Sequence, residues 1–312
     1  MNNSRRELIQ AAGAIAVGAA VAGVAKADEG DQVRLFPGFK AAKIETSGAT
    51  INVVSGGQGP PLLLLHGAPQ SLATWHKIAP QLAKEYTVVA ADLRGYGDSS
   101  KPPDGEKHVN YSKRAMALDS VEVMHHFGFE KFAVVGHDRG GRVAHRMTLD
   151  HADKVTKVAV IDIVPTYKLY HNVTREFATS YYHWFFLIQP APFPETLLNN
   201  SIDFYMRGTG DAHAEYVRCF KNPATVHAMC EDYRASASID LEHDEADLNR
   251  KIECPFFTLW GERGAMGRMY DVLAAWRERA VNVSGKGLPG GHSLQEEKPD
   301  ETLAELQAFL KA

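Results

Sequence analysis

The sequence predicts an α/β protein: a mostly parallel, doubly wound sheet interrupted once by an inserted α-helical cap. Three observations carry that prediction. Short continuous apolar runs alternate with segments of helical period. The runs stop between Val164 and about Asn249. One of them ends in a glycine-flanked turn, "VVGHDRGGR" at 134–142, that leads directly into a helical segment.

Taken in order, the chain opens with "SRRELIQ", which sets two arginines before "AAGAIAVGAAVAGVA", a stretch too short to span a bilayer; "AKA" at 25–27 fits a small-residue cleavage site. Residues 1–27 therefore read as a twin-arginine export signal, placing a mature chain from near Asp28 in the periplasm with no stable membrane association. "KIETSGATINVVSGG" alternates apolar and polar residues around a Ser-Gly turn and reads as a hairpin. "PLLLLHG", "YTVVAAD", "KFAVVG", "VTKVAVIDI" and "CPFFTLW" read as strands buried on both faces of a parallel sheet. The helical segments between them are "SLATWHKIAPQLAK", "YSKRAMALDSVEVMHHFG", "GGRVAHRMTLDH", "MYDVLAAWRERA" and "PDETLAELQAFLKA". The core thus spans 28–164 and 250–312. The aromatic-rich, then charged and helical stretch at 165–249 is the cap, and the crevice between cap and core is the expected site.

At 312 residues, 45% apolar and 23% charged, the chain can bury a full core and is not disordered. A formal charge of -4 and no basic block beyond the first residues argue against nucleic acid and anionic membrane surfaces as partners. Cys219, Cys230 and Cys254 match no metal-ligand spacing and form no disulfide framework, though a Cys219 to Cys230 bridge stays open. Neither a metal nor an organic cofactor is expected. His145 and His151 read as packing or surface groups.

In the turn at 134–142, Asp138 stands at the carboxyl edge of the sheet, above a helix N-terminus, where a serine is more usual. Serine needs a base to attack; a carboxylate near a helix N-terminus is already ionised. It is a poor nucleophile toward esters and suits displacement at saturated carbon. On the turn alone, an Asp that merely caps a helix remains the alternative. "LLLLHGAP" at 62–69 offers the Ala68 amide, with that of Arg139, as an oxyanion hole. "PGGHSLQEEKPDE" places His292 in a glycine-rich loop before the last helix, the usual place for the base in this chain order. Its orienting acid is Asp162, at the end of "VTKVAVIDIVPT", in preference to Glu262, because the turn after "CPFFTLW" has Gly264 where an Asp would serve. Arg139 and Arg142 can both face the crevice and bind a small carboxylate; an ion pair with a cap acid, Glu231 or Asp232, is the other reading.

"DLRGYGDSSKP", "YSKRAMALD", "GHDRGGRVAHR", "DIVPT", "HWFFLIQP", "CEDYRA" and "GGHSLQEEKPDE" together resemble the fluoroacetate/haloacetate dehalogenases of the α/β-hydrolase fold, from about Val33 to the C-terminus. The resemblance implies hydrolysis of a small haloacid to glycolate and halide, with Asp138 as nucleophile, His292 as base and Asp162 as its partner. Arg139 and Arg142 would hold the substrate carboxylate. His183, Trp184 and Tyr233 would form the halide pocket; without the resemblance, "YYHWFF" reads as cap packing. A homodimer is compatible with it. Three departures stand out: Ala68 where the family more often has Phe, a short cap segment "YMRGTGDAHAEY", and the export signal. Two competing readings are an epoxide hydrolase recruiting Tyr181, Tyr182 and Tyr233, and a non-catalytic protein that binds small acids.

Overall fold

The computed structural model describes residues 34–208 and 210–312; the export signal expected at 1–27 lies outside the described residues. One sheet holds β1 (Lys40–Glu45), β2 (Thr50–Gly56), β3 (Pro61–Leu65), β4 (Thr87–Ala91), β5 (Phe132–His137), β6 (Val155–Ile161), β7 (Phe256–Gly261) and β8 (Val283–Leu288), in the order β1-β2-β4-β3-β5-β6-β7-β8. β1 and β2 form the expected antiparallel hairpin, β2 is antiparallel to β4, and all later pairings are parallel. Because β3 is flanked by β4 on one side and β5 on the other, the winding reverses there. The crevice opens at the carboxyl ends of these strands, as this topology requires.

The apolar runs have their pattern because alternate side chains enter different cores. Leu63, Leu65, Val134, Val158 and Val160 pack on the face that continues into the cap. Leu62, Leu64, Val135, Ala159 and Ile161 pack on the other face, against Trp75, Leu306 and Leu310.

β8 was not anticipated by the sequence reading. "VSGKGL" contains two glycines and a lysine, and alternate residues along it are exposed, the profile of an edge strand. Two helical segments also differ from expectation. "SLATWHKIAPQLAK" is not one helix but two turns, Leu72–Trp75 and Ala79–Leu82. Pro80 has no N–H to give His76 and its ring would strike that carbonyl, so a continuous helix is excluded. "MYDVLAAWRERA" breaks at the extended Tyr270, after which Asp271 caps a new helix, Val272–Arg277, by accepting from Ala274 N at 2.9 Å. Lys113–His126, Asp138–Asp150 and Pro299–Lys311 form where the periodicity places them.

Between β6 and β7 the chain forms a succession of helices, from Thr166–His171 to Ile239–Ala246, over the carboxyl edge of the sheet. No helix among the described residues is long and apolar enough to cross a membrane. The three cysteines are free.

Candidate active site

β5 ends at His137, and the elbow helix begins at Asp138, whose φ is 44°. A non-glycine residue in this region costs free energy and persists only where its surroundings impose it. Here the glycines impose it. A Cβ on Gly136 would lie 2.4 Å from Gly140 O, and one on Gly140 would lie 2.4 Å from Leu65 O. Bare backbone lets the turn close tightly against β3, which aims Asp138 into the crevice beside the loop that follows β3. There Ala68 N–H donates to Asp138 Oδ2 at 3.0 Å. Burial alone would raise the Asp138 pKa, but the neighbouring His292 and the Arg139 and Arg142 guanidiniums pull it down to about 2.

His292 stands across from Asp138 in the same cavity. Its Nδ1–H donates to Asp162 Oδ2 at 2.6 Å, and Asp162 Oδ1 accepts from Gly261 N at 2.9 Å. Asp162 also has a positive φ, 53°, which turns its carboxylate back toward the loop. A Cβ on Gly264 would lie 3.3 Å from Asp162 Oδ1, so the carboxylate from β6 fills the space that a side chain at 264 would use. Glu262 is elsewhere, against Gly287 of β8. Burial disfavours the charged imidazole, but the hydrogen bond and charge of Asp162, with Asp138 and Glu297, push the His292 pKa up to about 9.

One neighbour escaped the sequence reading. His137, fully buried, donates from Nε2–H to the His292 carbonyl at 3.0 Å, and the two rings are 4.7 Å apart. Burial and the adjacent His292 lower its pKa to about 3, so it is a neutral donor. Local sequence gives no sign of a contact made across 155 positions.

The two arginines differ. Arg139 grips Asp232, Nε to Oδ2 at 2.8 Å and Nη2 to Oδ1 at 2.7 Å, and its Nη1 is buried without a partner. The ion-pair alternative thus holds for Arg139, with Asp232 and not Glu231. Arg142 donates only to neutral groups, Val164 O at 3.0 Å and Thr166 Oγ1 at 2.9 Å, and has no ion pair among the described residues. Trp184 packs against both guanidiniums, their Cζ atoms 4.5 Å (Arg142) and 5.5 Å (Arg139) from its ring. Tyr233 meets Arg139 at 4.2 Å and lies 5.6 Å from Trp184 and 5.8 Å from His183, centroid to centroid. These three rings therefore converge beside the elbow. Burial pulls His183 down to about 4 and pushes Tyr233 well up, so both are neutral donors near neutral pH.

The cavity measures about 390 Å³. Asp138, His292 and Ala68 line it with His183, Tyr181, Tyr205 and Tyr233, while Tyr182 and Phe204, 55% and 64% exposed, stand at its rim. Arg139 and Trp184 pack on Tyr233 outside this lining, and Arg142, against Trp184, lines a separate small cavity with Thr166 and Asp240. Away from this cavity, Asp104, His227 and Glu231 come close enough to share a cation. They are already engaged internally: His227 bridges Asp104 and Glu195 at 2.9 and 3.0 Å, and Glu231 holds Arg234 at 2.8 Å.

Residues 60–299 match the family model of the alpha/beta hydrolase fold. A fluoroacetate dehalogenase from Burkholderia sp is 46% identical over 289 residues, 88% of this chain and 95% of that protein. The chain belongs to the haloacetate dehalogenase family of the α/β-hydrolase superfamily. It is a hydrolase by that membership. A soluble epoxide hydrolase from Corynebacterium sp is also similar, 34% identical over 81% of this chain and 91% of that protein. Among solved structures, an alpha/beta hydrolase from Nostoc sp has 57% identity and a TM-score of 0.86, covering 87% of this chain and 98% of its own. In this chain His292 is hydrogen-bonded to Asp162 and shares one cavity with Asp138. Ala68 lines the same cavity, with its amide on Asp138 Oδ2.

Proposed function

We propose that the protein hydrolyses small 2-haloacids, taking haloacetate or fluoroacetate to glycolate and halide. The observation that carries this reading is Arg142, a buried cation one helical turn from Asp138 that hydrogen-bonds only to neutral groups. Asp138 acts on this guanidinium through space but is not hydrogen-bonded to it, and a substrate carboxylate would give it a two-pronged partner. Nη1 of Arg139, buried without a partner, is a further donor.

With the acid so held, an oxygen of Asp138 attacks the carbon bearing the halogen. The C–X electron pair leaves with the halide, toward the donors of His183, Trp184 and Tyr233. The product is an ester of Asp138, and the carboxylate charge is gone. That charge is one of those that keep His292 protonated, so esterification lowers the proton affinity of the imidazole. Neutral His292 then takes a proton from water as the water attacks Cγ of Asp138. The Ala68 and Arg139 amides receive the oxyanion; as it collapses the ester C–O bond breaks, the departing glycolate oxygen takes the proton from His292, and Asp138 returns with one solvent oxygen, its remaining proton lost to solvent.

The family's likeness to epoxide hydrolases gives a second reading, in which the hydroxyls of Tyr181 and Tyr233 protonate an epoxide oxygen. It leaves Arg142 without a use. Incubating the purified protein with chloroacetate, fluoroacetate and styrene oxide, and assaying halide and diol, separates the two. Halide release is expected; diol formation without halide release overturns the proposal.

A further inference from the structure

The loop that presents His292 is gripped along its main chain as well as at its ring. Glu297 folds back so that Oε2 accepts from Gly291 N–H at 2.7 Å and Oε1 accepts from Ser293 N–H at 3.0 Å. One carboxylate thus spans the amides on either side of His292. From the opposite side, His137 Nε2–H holds the His292 carbonyl at 3.0 Å. A Cβ on Gly291 would lie 2.9 Å from both carboxylate oxygens of Glu297, so glycine there is what lets the carboxylate close on the loop.

Without these contacts, "PGGHS" would be a glycine-rich segment with a large conformational entropy. With them, the backbone at 292 is fixed at three points and Asp162 sets only the rotation of the ring. Glu297 neither lines the cavity nor hydrogen-bonds to Asp138 or Asp162. It touches no reacting atom, and its effect passes through His292 alone.

We propose that Glu297 is a positioning residue for the hydrolytic step: its carboxylate, working against His137, fixes where the His292 imidazole stands. The inference rests on the dehalogenase reading, because it assigns Glu297 to the breakdown of the Asp138 ester and not to its formation. The charge of Glu297 is a second contribution. Around His292 the charged and titratable neighbours are Asp162, Asp138, His137, His183 and Glu297, with the phenols of Tyr181, Tyr182, Tyr205 and Tyr233 across the cavity. Removing the negative charge of Glu297 lowers the proton affinity of His292. A base that works when neutral then remains active to lower pH.

The test compares wild type, Glu297→Ala and Glu297→Gln with chloroacetate, following adduct on Asp138 by rapid quench and intact-protein mass spectrometry across a pH series. Glu297 is exposed on its outer side, so both variants are expected to fold, which circular dichroism checks. In Glu297→Ala, adduct formation stays at the wild-type rate while breakdown on its pH plateau slows roughly tenfold, a part of what the two lost charge-assisted hydrogen bonds are worth. Glu297→Gln keeps an acceptor oxygen and recovers part of that rate, and the acid limb of its breakdown profile moves to lower pH. Equal slowing of formation and breakdown, unchanged breakdown in the alanine variant, or an unmoved limb in the glutamine variant overturns the proposal. If wild type itself forms no adduct, the dehalogenase reading fails first; if it does and the variants partition as wild type, only Glu297 is misassigned.

Discussion

Arg139 and Asp232 form a two-pronged ion pair in which neither side chain is exposed. Lys113 joins the same carboxylate, and Tyr96 O–H donates to its Oδ2 at 2.7 Å. Asp232 is therefore shared by two cations, and the Arg139 guanidinium is locked with one nitrogen still free. Arg142, one helical turn further on, has no such acid. The pair thus divides into an oriented arginine whose charge Asp232 balances and a second that hydrogen-bonds only to neutral groups.

This division makes Arg142→Ala a selective lesion. The kcat/KM for chloroacetate should fall by about a hundredfold or more, given that breaking a buried pair costs about 3–5 kcal/mol. A neutral substrate of the same site should lose little. Arg142→Lys keeps the charge without the planar fork and should recover only part of the loss. Equal losses on haloacid and neutral substrate would make Arg142 a structural residue.

Asp232→Asn should cost stability first. It strands Arg139 and Lys113 in a dry interior, a loss of about 3–5 kcal/mol. Burial would raise the Asp232 pKa, but Arg139 and Lys113 hold it well below the usual carboxylate range. A depressed carboxylate stabilises the fold above the unfolded-state value of about 3.9, and that contribution is lost as pH falls below it. The melting-temperature gap between wild type and Asp232→Asn should therefore be full near neutrality and shrink below about pH 4. A gap that is constant through the acid range would show that the charge of Asp232 is not what matters.

His292→Asn should stop turnover after one cycle and leave an adduct on Asp138, visible as a mass increase. In wild type the same species should build up on acidification, over a range below the free-enzyme His292 value of about 9, because the ester lacks the Asp138 charge that helps hold the proton. Over that range Asp138, held to about 2, stays ionised and continues to attack. His292 becomes protonated and cannot activate water. An adduct fraction that falls with acidification would remove His292 from the base role.

Gly140→Ala tests the elbow. The new Cβ would meet Leu65 O at 2.4 Å and His66 O at 2.5 Å, both backbone atoms that cannot rotate away. A loss of about 2–3 kcal/mol with collapse of activity is expected by thermal unfolding and halide assay. Gly128→Ala is the control: its φ is +81° but nothing lies within 4 Å, so it should cost about 1 kcal/mol and leave activity intact. Similar effects of the two would show that the close approach at Gly140 is dispensable.

The sequence by itself determined the parallel core, because strands buried on both faces must be apolar throughout. It also placed Asp138, by its flanking glycines, and His292, by its loop before the last helix. It pointed to Asp162 through the glycine at 264. Edge strand β8 was not legible, since a strand with one solvated side tolerates "VSGKGL". Nor were the two helix breaks, where Pro80 and the cap Asp271 overrode an apolar period. Which acid holds Arg139 was open between Glu231 and Asp232, and only the tertiary structure could choose. Neighbours on a helix point about 100° apart, so once Pro223–Ser236 docks, Asp232 faces the elbow and Glu231 faces Arg234 and His108. The grip of His137 and Glu297 on the His292 loop belongs to the same class: residue types are written in the chain, but a helix phase and a loop closure decide which of them meet.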